Sequence, residues 1–276
     1  MAEIPRALPA TIECMLRLRW VLFVFLGLDA VGHAVKPQPC GADAQDPIVT
    51  DRPQITSSSI VVPCGSLQFE NGLMETSSAG QRGYDFPETS VRFGVARKTE
   101  IRIGVPDYFE NDVTSGFADG LGDMSIGFKQ QLDPIRGFGV SIIPTLSFPT
   151  GANAITSHGY DPSVQLPWSQ ALSKSWTAAG MFSVGWPTVD RRRNATGQAS
   201  LYFDKQLTAP CDAYLEYSGS FPQRGGPQHA IDFGTAYKIS PHQQLDFHFG
   251  FGLSSATPDH TIGFGYSVRF QLIRTK

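Results

Sequence analysis

Charge is scarce in this chain. Of 276 residues only 17% are Asp, Glu, Lys or Arg, against about 25% in ordinary soluble domains. That excludes disordered, coiled-coil and Lys/Glu-rich helical proteins. Long apolar runs are nearly missing too. A single stretch near the N-terminus and a mean hydropathy of −0.13 exclude a multi-helix membrane protein, because each helical span needs about 20 mostly apolar residues. A net charge of −3 offers no bulk attraction to nucleic acid. Cysteine stops at four, without CxxC, zinc-site or lipid-modification spacing, and the six His show no metal-ligand spacing. No cofactor motif is present. The pairs Gly250 with Gly252 and Gly263 with Gly265 sit inside strand patterns with no helix following, so they supply space and bends rather than a nucleotide loop.

What is plentiful is glycine, at 28, and aromatics, at 11% with 19 Phe. They are arranged with period two. From Ile262 the even positions read Ile262, Phe264, Tyr266, Val268, Phe270 and Leu272, while the odd ones read Gly263, Gly265, Ser267, Arg269 and Gln271. One face is greasy and the other small or polar, the signature of a half-buried strand. Eleven more such segments precede it: Val61 to Glu70, Glu88 to Ala96, Glu100 to Pro106, Asp123 to Gln131, Phe138 to Phe148, Ser163 to Leu172, Trp176 to Trp186, Ala199 to Gln206, Ala213 to Phe221, Ile231 to Ile239 and Leu245 to Leu253. No amphipathic helical window competes with them.

Long connections (Asn71 to Tyr84, Asp107 to Gly120, Pro149 to Asp161, Pro187 to Gly197, Pro222 to Gln228) alternate with short ones at Arg97 and Lys98, Asp133 to Arg136, Ser173 to Ser175, Thr208 to Pro210 and Ser240 to Gln243. Such asymmetry belongs to an antiparallel transmembrane β-barrel with long extracellular loops and short periplasmic turns. A secreted β-sandwich also alternates. Against it stand strands near ten residues long, the loop asymmetry, and aromatics at strand ends (Trp168, Trp176, Trp186, Tyr217, Phe221, Tyr237, Tyr266) where interfacial girdles lie. The reading is an all-β barrel of about twelve strands over residues 60–276, in a bacterial outer membrane, with both termini periplasmic.

Residues 1–44 read as an export signal. Arg17 and Arg19 precede the apolar run Trp20 to Leu28, and small-residue sites follow at Gly32, His33, Ala34 and at Ala42, Asp43, Ala44. Cleavage after Ala44 is the preferred expectation, with residues 1–14 an upstream extension before Met15. It removes Cys14 and Cys40 and leaves Cys64 and Cys211 as a possible pair. Gln45 to Ser59 has no strand pattern. Its two Pro and polar composition make disorder the default, below the barrel or as a partial plug in the lumen.

Alternation assigns Glu70, Arg92, Glu100, Arg102, Lys129, Asp204, Asp212, Glu216, Asp232, Lys238, Asp246, His248 and Arg269 to the lumen. Arg or Lys facing lipid at mid-bilayer costs about 2–4 kcal/mol. These charges either line a pathway that tunes which solutes pass, or form a salt-bridge network that fills a closed barrel. Asp246, His248 and Ser267 together offer the minimum set for a barrel hydrolase. An Asp and a His two apart on one strand face point in parallel, however, and no Ser sits in a nucleophile turn. Arg191, Arg192 and Arg193 form a basic triplet in an outer loop, suited to lipopolysaccharide, to an anionic solute or simply to solvent.

Gly265, Tyr266, Ser267, Val268, Arg269 and Phe270 resemble the C-terminal assembly signal of bacterial outer-membrane barrels, with Gln271 to Lys276 following. Thr50 to Pro53 (TDRP), Gly65 to Asn71 (GSLQFEN), Phe148 to Gly151 (FPTG), Phe221 to Gly226 (FPQRGG) and His242 to Ser255 resemble the outer-membrane, transporter-like family of meta-pathway phenol-degradation proteins. The resemblance covers nearly everything after Ala44. It implies a channel or transporter for small molecules, aromatic or hydrophobic solutes among them, with the barrel-assembly machinery and outer-membrane lipids and lipopolysaccharide as partners. A structural or adhesive barrel is the remaining alternative.

Overall fold

The computed structural model describes Cys40, residues 45–111 and residues 118–273, so the proposed export signal lies outside the described residues apart from Cys40. Twelve antiparallel strands form a closed barrel: β1 (Ser66–Ser78), β2 (Ser90–Ala96), β3 (Thr99–Gly104), β4 (Met124–Gln131), β5 (Gly139–Phe148), β6 (Asp161–Ala171), β7 (Trp176–Gly185), β8 (Thr196–Gln206), β9 (Cys211–Pro222), β10 (Gln228–Ser240), β11 (Gln243–Gly252) and β12 (His260–Gln271). Each strand pairs with the next in sequence, and β12 returns to β1 in a register that sets Leu67 against Phe270 and Gly72 against Gly265. Closure leaves no open edge at the wall.

Alternation divides the wall as the sequence pattern requires. On β12, Phe264, Tyr266 and Phe270 are exposed, whereas Gly263, Gly265, Ser267 and Arg269 are buried. The interior inverts the usual globular arrangement: Arg92, Lys129, Gln68, Glu70, Glu100 and Glu216 are among the largest fully buried side chains. An apolar outer belt around a polar interior is stable only if lipid covers the outside. Among the described residues no helix is long and apolar enough to cross a membrane.

Two expectations are corrected at the start of the barrel. The first strand begins at Ser66 rather than Val61, because Pro63 has no N–H to donate and Gly65 adopts a left-handed φ of 77°. Asn71 to Tyr84 is not a loop. β1 runs on to Ser78, reverses at Ala79 and Gly80 (φ 50° and 80°), and returns as Gln81–Phe86, both turn residues taking the positive φ that a tight hairpin of this twist demands. Gln81–Phe86 then pairs with Tyr108–Asn111, which pairs with Gly120–Leu121, so a small ribbon extends the wall at the long-loop rim.

Of the girdle candidates, Trp176, Trp186, Tyr217, Phe221, Tyr237 and Tyr266 are exposed on the outer face. Trp168 is the exception, half-buried with its ring edge-on to Phe138 at 5.7 Å. Among the described residues Cys64 is bonded to Cys40 and Cys211 is free, so the Cys64–Cys211 pairing that the sequence left open is not the one formed.

Candidate functional site

The lumen is occupied by the chain's own N-terminal segment. Disorder was the sequence default for Gln45 to Ser59; instead the segment circles the inner wall, because that wall supplies a partner for nearly every polar group it brings. It enters at the short-turn rim, where Ile48 N–H donates to Pro241 O at 2.7 Å and the Arg269 guanidinium donates to Asp46 O. Gln244 then donates to Thr50 Oγ1 (2.8 Å). Farther round, Gln54 donates to the Tyr202 hydroxyl (3.0 Å), Ser57 to Gln165 (3.2 Å), and Ser141 to Ser59 O (2.5 Å). Val62 N–H reaches Glu100 Oε2 at 2.6 Å, and Gly65 N–H donates to Gly94 O at 2.7 Å, which returns the chain to the rim where it entered.

Two anchors hold the loop in place. The first is Asp51. Its carboxylate pairs with Arg102, with Lys129 Nζ at 3.0 Å and with Arg92 Nη1 at 3.6 Å, while its N–H donates to Glu70 Oε2 at 2.9 Å. Arg92 in turn pairs with Glu70 (2.6 Å) and Glu100 (2.8 Å). Three wall cations thus meet two wall carboxylates plus the one that Asp51 carries in, and the cluster is electrically balanced. Buried ion pairs survive only under such mutual satisfaction, since an unmatched charge there costs several kcal/mol. The second anchor is Glu216, which accepts from the N–H groups of Ile55 and Thr56 (both 2.8 Å) and from Thr56 Oγ1 (2.6 Å).

Between these anchors Arg52 points the other way. It pairs with Glu88 at 2.5 Å and lies 3.6 Å from Asp246. Gly72 and Gly265 face each other across the β1–β12 seam at this level, and a Cβ at either would overlap the Arg52 side chain. Glycine here is a requirement for the approach of the segment to the wall.

The remaining predicted lumen charges lie on β8 to β12. Asp212 pairs with Lys238 at 2.6 Å, Asp204 is half-buried in register with Tyr214, and Asp232 accepts from the Tyr214 hydroxyl and from His248 Nδ1 at 3.1 Å. The structure therefore gathers Glu70, Arg92, Glu100, Arg102 and Lys129 around one plug residue. The far charges it spreads along a second wall. Asp246, His248 and Ser267 are not brought together. His248 turns to Asp232, and Ser267 lies opposite Gln244, four register positions from the residue facing His248, about 13 Å along the strand. The assembly-signal residues Gly265, Tyr266, Val268 and Phe270 sit on β12, whose end is tied down by Leu272 and Ile273 N–H donating to Gly65 O. Of the basic triplet, Arg193 donates to Tyr160 O and Trp186 O, so it ties outer loops to each other. The sequence reading missed Asp51 and Arg52 as site residues, although adjacent opposite charges in an otherwise Pro- and Ser-rich stretch were its available signal.

Residues 50–270 match the family described as the MetA-pathway of phenol degradation, so the chain belongs to that family. The fold is that of outer-membrane β-barrels. An outer membrane channel from Pseudomonas putida F1 superimposes with a TM-score of 0.60 at 10% identity, covering 77% of this chain and 98% of that one. The NanC porin superimposes with a TM-score of 0.54 at 10% identity, covering 73% and 98%. No curated protein matches the chain in sequence.

Proposed function

We propose that the chain is an outer-membrane channel for passive or facilitated passage of small molecules, with its lumen segment setting how wide the pathway is. The observation that carries this reading is the chemistry holding the segment. Thr50 to Ser59 is fixed to the wall by ion pairs and hydrogen bonds, Asp51 to Lys129, Thr56 to Glu216 and Ser59 to Ser169 among them. Water and solute can replace such bonds as the segment shifts, whereas an apolar plug would lose its burial energy outright. The short turns and both described chain ends share one rim, which by the usual asymmetry of these barrels faces the periplasm. Lipid, lipopolysaccharide and the barrel-assembly machinery are the partners that this location entails.

The family's description names phenol degradation, and the structural neighbours are a channel and a porin. Aromatic solutes are the class we favour. Tyr202 and Tyr214 support it as a lumen-facing aromatic pair, with ring centroids 5.5 Å apart. The test is reconstitution of the folded barrel into liposomes and planar bilayers. Solute-dependent swelling and discrete conductance are expected, with ion selectivity altered by Arg269→Ala. A fully folded barrel that passes neither ions nor small sugars and phenols overturns the reading in favour of a closed structural barrel.

A further inference from the structure

The two ends of the lumen segment meet at the short-turn rim, and a covalent bond joins them there. Cys40, ahead of the point where the segment enters, is disulfide-bonded to Cys64, where it leaves. Cys64 is 5% exposed, just before the left-handed Gly65 that starts β1. Gly65 O holds the end of the barrel through Leu272 and Ile273, and Cys64 O accepts from Gln271 at 3.4 Å. Residues 40–64 therefore form a closed covalent loop whose middle lies in the lumen. Cleavage after Ala44, the site preferred on sequence, discards one half of this bond and leaves Cys64 as a thiol without its partner at the foot of β1. The other small-residue site, Gly32, His33 and Ala34, keeps Cys40 in the exported chain.

We infer that export processing cuts the bond between Ala34 and Val35, upstream of Cys40, and that Cys40 and Cys64 are then oxidised so that the mature barrel carries its lumen segment as a covalently closed loop. In the first step water adds across the peptide bond, leaving a carboxylate on Ala34 of the leader and an amine on Val35. In the second, the two thiols lose two electrons and two protons to the disulfide of a thiol oxidoreductase of the oxidising export compartment, which departs as a dithiol. The closed loop cannot straighten into a free N-terminal strand. Movements of the segment are then limited to shifts of a loop clasped at its base, and Asp51 and Glu216 stay within reach of their partners after any excursion.

The full-length chain, expressed with its own leader in a Gram-negative host and purified from the outer membrane, tests this by intact mass and peptide mapping. The expected N-terminus is Val35. Alkylation of the denatured but unreduced protein labels Cys211 alone, and labels Cys40, Cys64 and Cys211 after reduction. An N-terminus beyond Cys40, or alkylation of Cys64 without reduction, overturns the inference. A cut upstream of Cys40 at another bond overturns its assignment to Ala34. In the Cys40→Ser variant Cys64 becomes alkylatable without reduction while the barrel keeps its heat-modifiable electrophoretic mobility; a Cys64 that stays blocked in this variant shows a different partner and also overturns it. None of these readouts depends on conductance, so they stand or fall apart from the channel reading.

Discussion

The lumen has two unlike walls. On β1 to β4, Arg92, Arg102 and Lys129 face Glu70 and Glu100, and Asp51 of the lumen segment cancels the single positive charge in excess. Arg92, Glu100 and Lys129 are fully buried. On β8 to β12, five carboxylates (Asp204, Asp212, Glu216, Asp232, Asp246) face only Lys238 and Arg269, with Arg52 of the segment added. Asp204, Asp212 and Lys238 are only half-buried. The first wall is a lock, dry and charge-matched. The second carries more carboxylates than cations, and its Asp204, Asp212 and Lys238 are partly accessible, the arrangement that would favour cations in the proposed channel. One segment serves both walls because consecutive residues Asp51 and Arg52 turn opposite charges to opposite sides.

Breaking the lock should have the largest effect. Asp51→Ala leaves three wall cations against two carboxylates in a buried cluster, a loss of about 3–5 kcal/mol for a broken buried pair. The segment should release, raising single-channel conductance and exposing residues 45–65 to protease in the folded barrel. Unchanged conductance together with unchanged protease protection removes Asp51 as the anchor. Arg52→Ala should act more weakly, by about 1.5–3 kcal/mol for charged hydrogen bonds. It sharpens the comparison in another way, since it strips a cation from the acidic wall. The reversal potential in a salt gradient should shift toward greater cation selectivity, and a shift toward anions would contradict the assignment of that wall. Glu216→Gln should be milder still, about 1–2 kcal/mol, because an amide oxygen in the Oε1 position still accepts from Thr56, while the amide NH2 in the Oε2 position can no longer accept from Ile55 N–H. Hydrogen exchange at these two amides reads it directly.

Much of this contrast was visible before any coordinates. Each of the twelve strands overlaps a period-two run, the first only over Ser66 to Glu70, and the inward charges follow the alternation, since a strand with one face to lipid and one to the lumen has only one way to satisfy both. The lock was not visible. Its key residue lies in a stretch with no periodicity, and the partners of Asp51 on β2, β3 and β4 are 41, 51 and 78 positions away, joined only once the barrel is closed. The Cys40–Cys64 bond was not legible either, because the sequence offers two small-residue cleavage sites and only the one at Gly32, His33, Ala34 keeps Cys40.

The smallest expected effect lies outside both walls and asks whether the rim ribbon is coupled to the acidic side. Asp85, on the ribbon, is pushed up to about 7 from 3.8, first by burial and then by the neighbouring carboxylates of Glu88 and Asp107, with Arg52 alone opposing. An acid whose folded value lies above its unfolded one contributes stability that is complete below about pH 4 and is lost as pH rises through about 7. The ribbon should therefore be held best in mild acid and loosen toward pH 8, as Asp85 ionises beside Glu88 and competes for the guanidinium that Arg52 extends from the lumen. Hydrogen exchange of residues 81–86 and 108–111 between pH 5 and pH 8 measures this, after correction for the intrinsic pH dependence of exchange. Asp85→Asn should flatten the profile while leaving the Asp51 cluster as protected as before. A profile that keeps its slope in Asp85→Asn would place the titrating group elsewhere and cut the proposed link between rim and acidic wall.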